Sequence, residues 1–164
     1  MSISNLEELF VHELRDVLDA ERQLLKALPK MAKTAESPEL QAAFEEHVGV
    51  TEQHVERLES VFATLDKAAR GKKCAGMEGL VKEGAELIES EEPGAPLDAA
   101  LIGAAQKAEH YEIAAYGSLV TYAKLLEMEE AVDLLGQTLE EEKETDARLT
   151  QIASEINLVA EKAK

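Results

Sequence analysis

The chain has 164 residues, which suits one domain and leaves too little length for two well-packed cores. Its 34 acidic and 17 basic side chains give a net charge of −17, which disfavours a nucleic acid or an anionic membrane as partner. No apolar run approaches the roughly 20 residues of a membrane span, and the first residues carry no signal-peptide pattern. A single cysteine, Cys74, allows no internal disulfide and favours a cytoplasmic setting.

The composition predicts an all-helical protein. Hydrophobic residues make up 45% of the chain, aromatic residues only 4%, and glycine and proline are sparse. Proline and glycine cluster at a few positions, and these clusters separate the predicted elements. In chain order the sequence predicts helices over 5–34, 38–69, 75–91, 97–127 and 129–161.

The lengths of the predicted connections indicate how the helices are arranged. The first two long helices are joined by a short link, and so are the last two, so each pair is expected to form an antiparallel hairpin. The long connection between the hairpins carries the short predicted helix. Short link, long crossover and short link is the connectivity of ferritin-like four-helix bundles.

Each long helix carries apolar residues at spacings of three and four, and polar side chains interrupt each of these stripes near its middle. Such positions face the core of a bundle. The interrupting side chains are Glu21 in the first long helix, His47, Thr51 and His54 in the second, Glu109 and Glu112 in the third, and Glu142 and Asp146 in the fourth.

The two hairpins bring these positions to matching heights. Because the first turn centres near Ser37, Glu21 lies level with about residues 52–54, and Glu109 lies level with about residue 147 across the other turn. Several anions in one apolar interior would each cost several kcal/mol unless a cation accompanied them. No lysine or arginine falls on these stripes at that height, so we expect a metal ion. Iron or manganese suits ligands of this kind. The predicted ligands are Glu21, His54, Glu109, Glu112, Glu142 and Asp146, with His47 as a further candidate.

A structural interpretation of the same residues stays open. Near the middle of the bundle the stripe positions could turn away from the core, so that each polar side chain reaches solvent at the edge of its helix. Thr51 is most simply a small packing residue, and His110 is expected to be exposed. The acidic run at 140–144 is interpreted as a solvated face on which only Glu142 matches the stripe.

Four segments of the chain are distinctive, namely DAERQL from Asp19, CAGMEGL from Cys74, AAQKAEHYEIAAYG from Ala104 and TLEEEKETDARLT from Thr138. In these segments the chain resembles the YciE/YciF family of bacterial stress-associated, ferritin-like proteins. The resemblance covers nearly the whole chain. It implies a single rubrerythrin-like domain over residues 1–164, a homodimer and a cytoplasmic setting, with a poorly defined activity.

Carried over by position, the resemblance implies a dinuclear site with one departure on the second helix. The family pattern there is Glu-Thr-x-x-His, whereas this chain has Val50 in place of the glutamate and keeps Thr51 and His54. We therefore expect up to two ions, with one of them lost, weakly held, or completed by His47 or water. The ligands implied are Glu21, Glu109, Glu112, Glu142 and Asp146, together with His54.

Two functions follow from this site. The first is a metal-dependent redox protein that uses iron or manganese to act on peroxide or dioxygen, with a separate protein as electron donor. The second is a non-enzymatic stress or scaffold protein whose metal site is structural or degenerate. The valine at position 50 favours the second function.

Overall fold

The computed structural model describes residues 3–163, and within that range the chain forms five α-helices and no strand. The all-helical prediction is therefore confirmed. None of these helices is long and apolar enough to cross a membrane. In chain order the helices are α1 (Leu6–Thr34), α2 (Pro38–Thr64), α3 (Ala75–Ser90), α4 (Ala95–Leu125) and α5 (Glu129–Glu161).

The four long helices pack as two hairpins, and the short helix covers one side. Helix α1 packs on α2 and α4 on α5, while contacts of α2 with α5 and of α1 with α4 join the hairpins into one bundle. Helix α3, in the crossover, packs against α1 and α4. This is the connectivity that the link lengths predict.

Helix α2 ends at Thr64, five residues before the predicted end at 69. Its last carbonyls are capped by a Schellman motif, in which the N–H of Lys67 donates to Phe62 O (3.0 Å) and the N–H of Asp66 to Ala63 O (3.1 Å). Asp66 takes the left-handed conformation, with φ 51°, that glycine usually supplies. Aspartate tolerates this region better than most residues do, so the helix stops without a glycine signal.

Glu127 occupies the same left-handed position after α4, with φ 57°. The N–H of Met128 donates to Ala123 O at 3.0 Å, which completes the motif. Since a non-glycine residue there costs roughly 1–2 kcal/mol, Glu127→Gly is expected to raise the free energy of unfolding by about 0.5–1 kcal/mol. Urea denaturation measures this change. Glu155→Gly, at an exposed position inside α5, should lower stability by about 1 kcal/mol. If Glu127→Gly is equally destabilising, the left-handed cap is not strained.

A buried aspartate joins the first turn to the second hairpin, and no sequence pattern singled it out. Asp98 in the first turn of α4 is 2% exposed. Its carboxylate accepts from the backbone N–H groups of Glu36 (2.9 Å) and Ser37 (2.8 Å) in the α1–α2 link. These charge-assisted hydrogen bonds set the height of one hairpin relative to the other.

Two separate apolar cores fill the bundle, one toward each end. The core nearer the α1–α2 link includes Leu28, Phe44 and Leu101 and extends to α3 through Met77. The core nearer the α4–α5 link is built around side chains such as Phe10, Phe62, Leu119 and Leu135. Between the two cores lies a layer of buried polar side chains, which is therefore separated from both ends of the bundle.

Candidate metal centre

The buried polar layer contains seven side chains from the four long helices, each at most 5% exposed. The polar interruptions of the helical stripes thus lie in the core, with one exception, rather than at exposed edges. The members are Glu21 from α1, His47, Thr51 and His54 from α2, Glu109 and Glu112 from α4, and Glu142 from α5.

One group in this layer combines a histidine with three carboxylates. His47, Glu109, Glu112 and Glu142 each place one ligand atom within 4.8 Å of all the others. His47 Nε2 lies 3.1 Å from Glu109 Oε1 and 3.8 Å from Glu142 Oε2. His47, a further candidate on sequence grounds, is thus a full member of this group.

A second group shares one carboxylate with the first. Glu21, His54 and Glu142 also bring one ligand atom each within 4.8 Å of one another. His54 Nδ1 lies 3.0 Å from Glu142 Oε1 and 3.4 Å from Glu21 Oε1. Glu142 therefore directs Oε1 toward His54 and Oε2 toward His47, the arrangement of a carboxylate between two cation sites.

Asp146 is the predicted ligand that the structure places outside both groups. It is partly exposed, accepts a hydrogen bond from the Gln106 amide (3.2 Å), and lies 3.2 Å from Nε2 of the exposed His110. Four residues advance a helix by somewhat more than one turn, so Asp146 is rotated away from the direction of Glu142. The predicted exposure of His110 agrees with the structure.

The electrostatics of the layer fit a cation. Both carboxylate oxygens of Glu112 are buried without a hydrogen-bond partner among residues 3–163, as is Oε2 of Glu109. Burial raises the pKa of Glu109 and of Glu142 to about 7, and it raises the pKa of Glu112 well above its ordinary value. Buried polar atoms are normally hydrogen-bonded, so this donor set must hold protons or a metal ion. Carboxylate oxygens and imidazole nitrogens are ligands that iron and manganese accept.

An ion pair between Arg57 and Glu141 contacts the ring nitrogen of His54 that faces away from Glu142. His54 Nε2 lies 2.9 Å from Glu141 Oε2, and Arg57 binds the same carboxylate through two nitrogens, at 2.6 and 2.8 Å. The hydrogen bond from Arg57 lowers the pKa of Glu141. Burial lowers the pKa of His54, but contacts with Glu142 and Glu21 outweigh it and raise this pKa to about 10. Glu141, interpreted above as solvated surface, instead orients the imidazole so that Nδ1 faces the layer.

Tyr116 supports the carboxylate on the opposite side of the layer. It is fully buried, and its hydroxyl donates to Glu21 Oε1 at 2.5 Å. Burial and the nearby Glu21 raise the pKa of Tyr116 well above its ordinary value, so the hydroxyl stays protonated and acts as a donor. Oε2 of Glu21 is left without a hydrogen-bond partner.

Val50 borders an opening that leads to the first group. A cavity of about 190 Å³ lies between α2 and α5, and both His47 and Glu109 line it beside Val50. An ion pair between Arg148 and Glu46 joins α5 to α2 at this cavity, and both side chains are substantially exposed. Valine offers no ligand atom. At position 50, α2 therefore presents no carboxylate to this cavity.

The connectivity and the carboxylate–imidazole layer define a ferritin-like helical bundle. The backbone matches that of the dodecameric thioferritin of Bacteroides fragilis with a TM-score of 0.74, at 14% identity, over 96% of this chain and 90% of that one. At this identity the match concerns the fold alone. The chain belongs to the family described as "Domain of unknown function (DUF892)", which matches residues 5–163.

Relatives within this family confirm the resemblance to the YciE/YciF proteins. The chain is 45% identical to Protein YciF of Escherichia coli K12 over 165 residues, which covers all of this chain and 98% of YciF. The crystal structure of that protein, described as a stress protein, matches with a TM-score of 0.91 over 94% of this chain and 98% of YciF, at 44% identity. YcfI of Rhodopseudomonas palustris matches with a TM-score of 0.87 at 39% identity, over 91% of this chain and 95% of YcfI.

Proposed function

We propose that this chain is a stress-associated metalloprotein whose bundle core holds up to two iron or manganese ions. The observation that carries the proposal is the pair of buried ligand groups that share Glu142. The unpartnered oxygens of Glu112 and Glu109 support it, because a cation would satisfy these buried atoms between the two apolar cores. The stress association comes from the relative YciF.

Each ligand has a distinct role in this proposal. Glu21 and His54 would hold one ion, the group around His47 would hold the other, and Glu142 would bridge them. When bound, iron or manganese would supply redox chemistry toward a small oxidant, peroxide or dioxygen, and the electron donor would be a separate protein. The protein itself orients His54 through Glu141, donates a hydrogen bond to Glu21 from the Tyr116 hydroxyl, and closes the layer toward both ends of the bundle with apolar cores.

The setting proposed for this chemistry is a homodimer in the cytoplasm, with the whole chain forming one domain. The dimer and the domain extent come from the family resemblance. The single cysteine favours a reducing compartment, and the charge of −17 disfavours a nucleic acid as a competing partner.

A second candidate function is a non-enzymatic stress or scaffold protein with a degenerate site. The observation that favours it is Val50, which borders the opening beside His47 and supplies no ligand. In that case metal would contribute to the stability of the fold and not to turnover.

Elemental analysis of protein produced with iron, and separately with manganese, tests the proposal. We expect one or two ions per chain in the wild-type protein and none in Glu142→Ala, because both groups need that carboxylate. Glu155→Ala, exposed on the same helix, is the matched control and should keep the wild-type content. A folded wild-type bundle without metal would contradict the proposal and favour the scaffold function.

Disruption of the Glu141–Arg57 ion pair that contacts His54 is expected to weaken the binding of one ion and not of the other. Glu141→Gln removes the charge that orients the imidazole, and such supports typically contribute 10–100-fold in metal affinity. Manganese titration against a chelator should show one of two binding steps weakened by about that factor. Glu140→Gln changes the exposed neighbour and should leave both steps intact. Equal loss of both steps would mean that Glu141 acts on the whole fold.

A further inference from the structure

An apolar cleft lies on the other side of the bundle, where α3 covers α1 and α4. It has a volume of about 170 Å³, and most of its lining surface is apolar. Small side chains on α3 and α4, such as Gly84 and Ala104, leave the space open where larger ones would fill it. Enclosed apolar cavities of about 150 Å³ accept small hydrocarbon molecules, so a cleft of this size has room for a short alkyl chain. The walls include Leu28, Met31, Leu80, Val81, Ile88 and Ala104.

The mouth of this cleft carries two lysines from one face of α1. Lys26 and Lys30 are one turn apart and exposed, and no carboxylate among the described residues lies within 4.0 Å of either amine. Glu89 of α3 lies at the same exposed mouth, which therefore carries two positive charges and one negative charge, while Glu109 is buried at the other end. In a chain with twice as many acidic as basic side chains, the two lysines would attract an anion to this mouth.

The inner end of the cleft determines the orientation of a ligand. Glu109 lies there, nearly completely buried, with one oxygen unpartnered. An anionic head group at this end would lose its hydration beside an acidic side chain in the interior, which is strongly unfavourable. A ligand with one charged end and one hydrocarbon end therefore places its charge at the lysines and its chain inside.

We propose that this cleft binds a medium-chain carboxylate, with the alkyl chain between α3 and the α1–α4 pair and the carboxylate at Lys26 and Lys30. Glu109 is the one residue that this cleft shares with the candidate metal ligands in the part of the chain that the structure describes. Binding of the carboxylate does not depend on metal, so the proposal stands apart from the metal function.

Calorimetric titration of the full chain with octanoate, and in parallel with 1-octanol, tests the charge and the cavity separately. We expect saturable binding of one molecule of each ligand. The double variant Lys26→Ala/Lys30→Ala should lower the affinity for octanoate by about tenfold and leave the affinity for 1-octanol nearly unchanged. Lys33→Ala changes another exposed lysine of α1 that does not line the cleft, and should alter neither.

Filling the cleft is the second arm of the test. Ala104→Leu should abolish binding of both ligands, and Ala85→Met serves the same purpose if the first variant fails to fold. Glu142→Ala should retain octanoate binding, which separates this result from the metal proposal. Octanoate binding that does not saturate would overturn the proposal, and so would normal octanoate binding by Ala104→Leu. A third contrary outcome is a dimer, seen by sedimentation, that Ala104→Leu disrupts and octanoate does not. In that case a second copy of the chain would occupy the cleft.

Discussion

Replacing Glu112 by leucine is expected to stabilise the metal-free protein and to remove one ion from the metal-loaded protein. Glu112 is fully buried and both of its oxygens lack a hydrogen-bond partner. Burial raises its pKa well above the ordinary value, and the nearby charge of Glu142 raises it further. Without metal this side chain only costs stability, and leucine fills a similar volume without a polar group. We expect a gain of about 1–3 kcal/mol in the free energy of unfolding.

Urea denaturation in the presence of a chelator, and again with manganese, measures both effects. Glu112→Gln is the matched control, because it keeps a buried polar group and removes the metal-binding charge. It should lose the same ion without the gain in stability. A clear loss of stability in metal-free Glu112→Leu would mean that the carboxylate is satisfied in the folded protein, and the case for a cation at this position would fail.

Introducing a carboxylate at position 50 is expected to tighten metal binding at the first group. Val50 lies one turn from His47 on the same face of α2, and both residues line the opening beside Glu109. A glutamate there would add an oxygen ligand on the side where the chain has none. We expect Val50→Glu to raise the affinity for manganese by about tenfold or more. In the metal-free protein it should lower stability by about 1–3 kcal/mol, because it adds another anion beside the carboxylates of the layer.

Competition with a chelator measures the affinity in Val50→Glu, and thermal unfolding measures the cost without metal. Val50→Gln fills the same space without a charge and should not tighten binding. Unchanged affinity in Val50→Glu, with the variant folded, would show that the opening is not a vacant ligand position. The scaffold function would then lose its main support, since the valine would not explain a degenerate site.

The periodicity of the sequence predicted which residues share the polar layer, but not which of them contact one another. Glu21, Glu109, Glu112, Glu142 and His54 are buried at one height, as expected from helical rise and the two short links. Asp146 lies outside the groups because one further turn of α5 rotates it off the stripe. A rotation of a few tens of degrees decides whether a short side chain reaches the layer, and sequence spacing does not resolve it.

The residues that support the layer were harder to predict than its ligands. Glu141 lies in an acidic run whose members look equivalent in sequence, and only the approach of Arg57 and His54 from α2 distinguishes it. Asp98 likewise acquires its role from the link between α1 and α2. Such roles depend on partners 60 or more residues away, and no local pattern encodes them.

By itself the sequence determined the helical class, the pairing of the hairpins and the height of the polar layer. These follow from local propensity, from link lengths and from the 3.6-residue period, all of which act over short distances along the chain. Tertiary structure decided that Glu142 faces both histidines, that His47 joins the candidate ligands, and that α3 leaves a cleft above α1 and α4. Those features depend on how the five helices rotate and pack against one another, which is determined by side-chain contacts between distant segments.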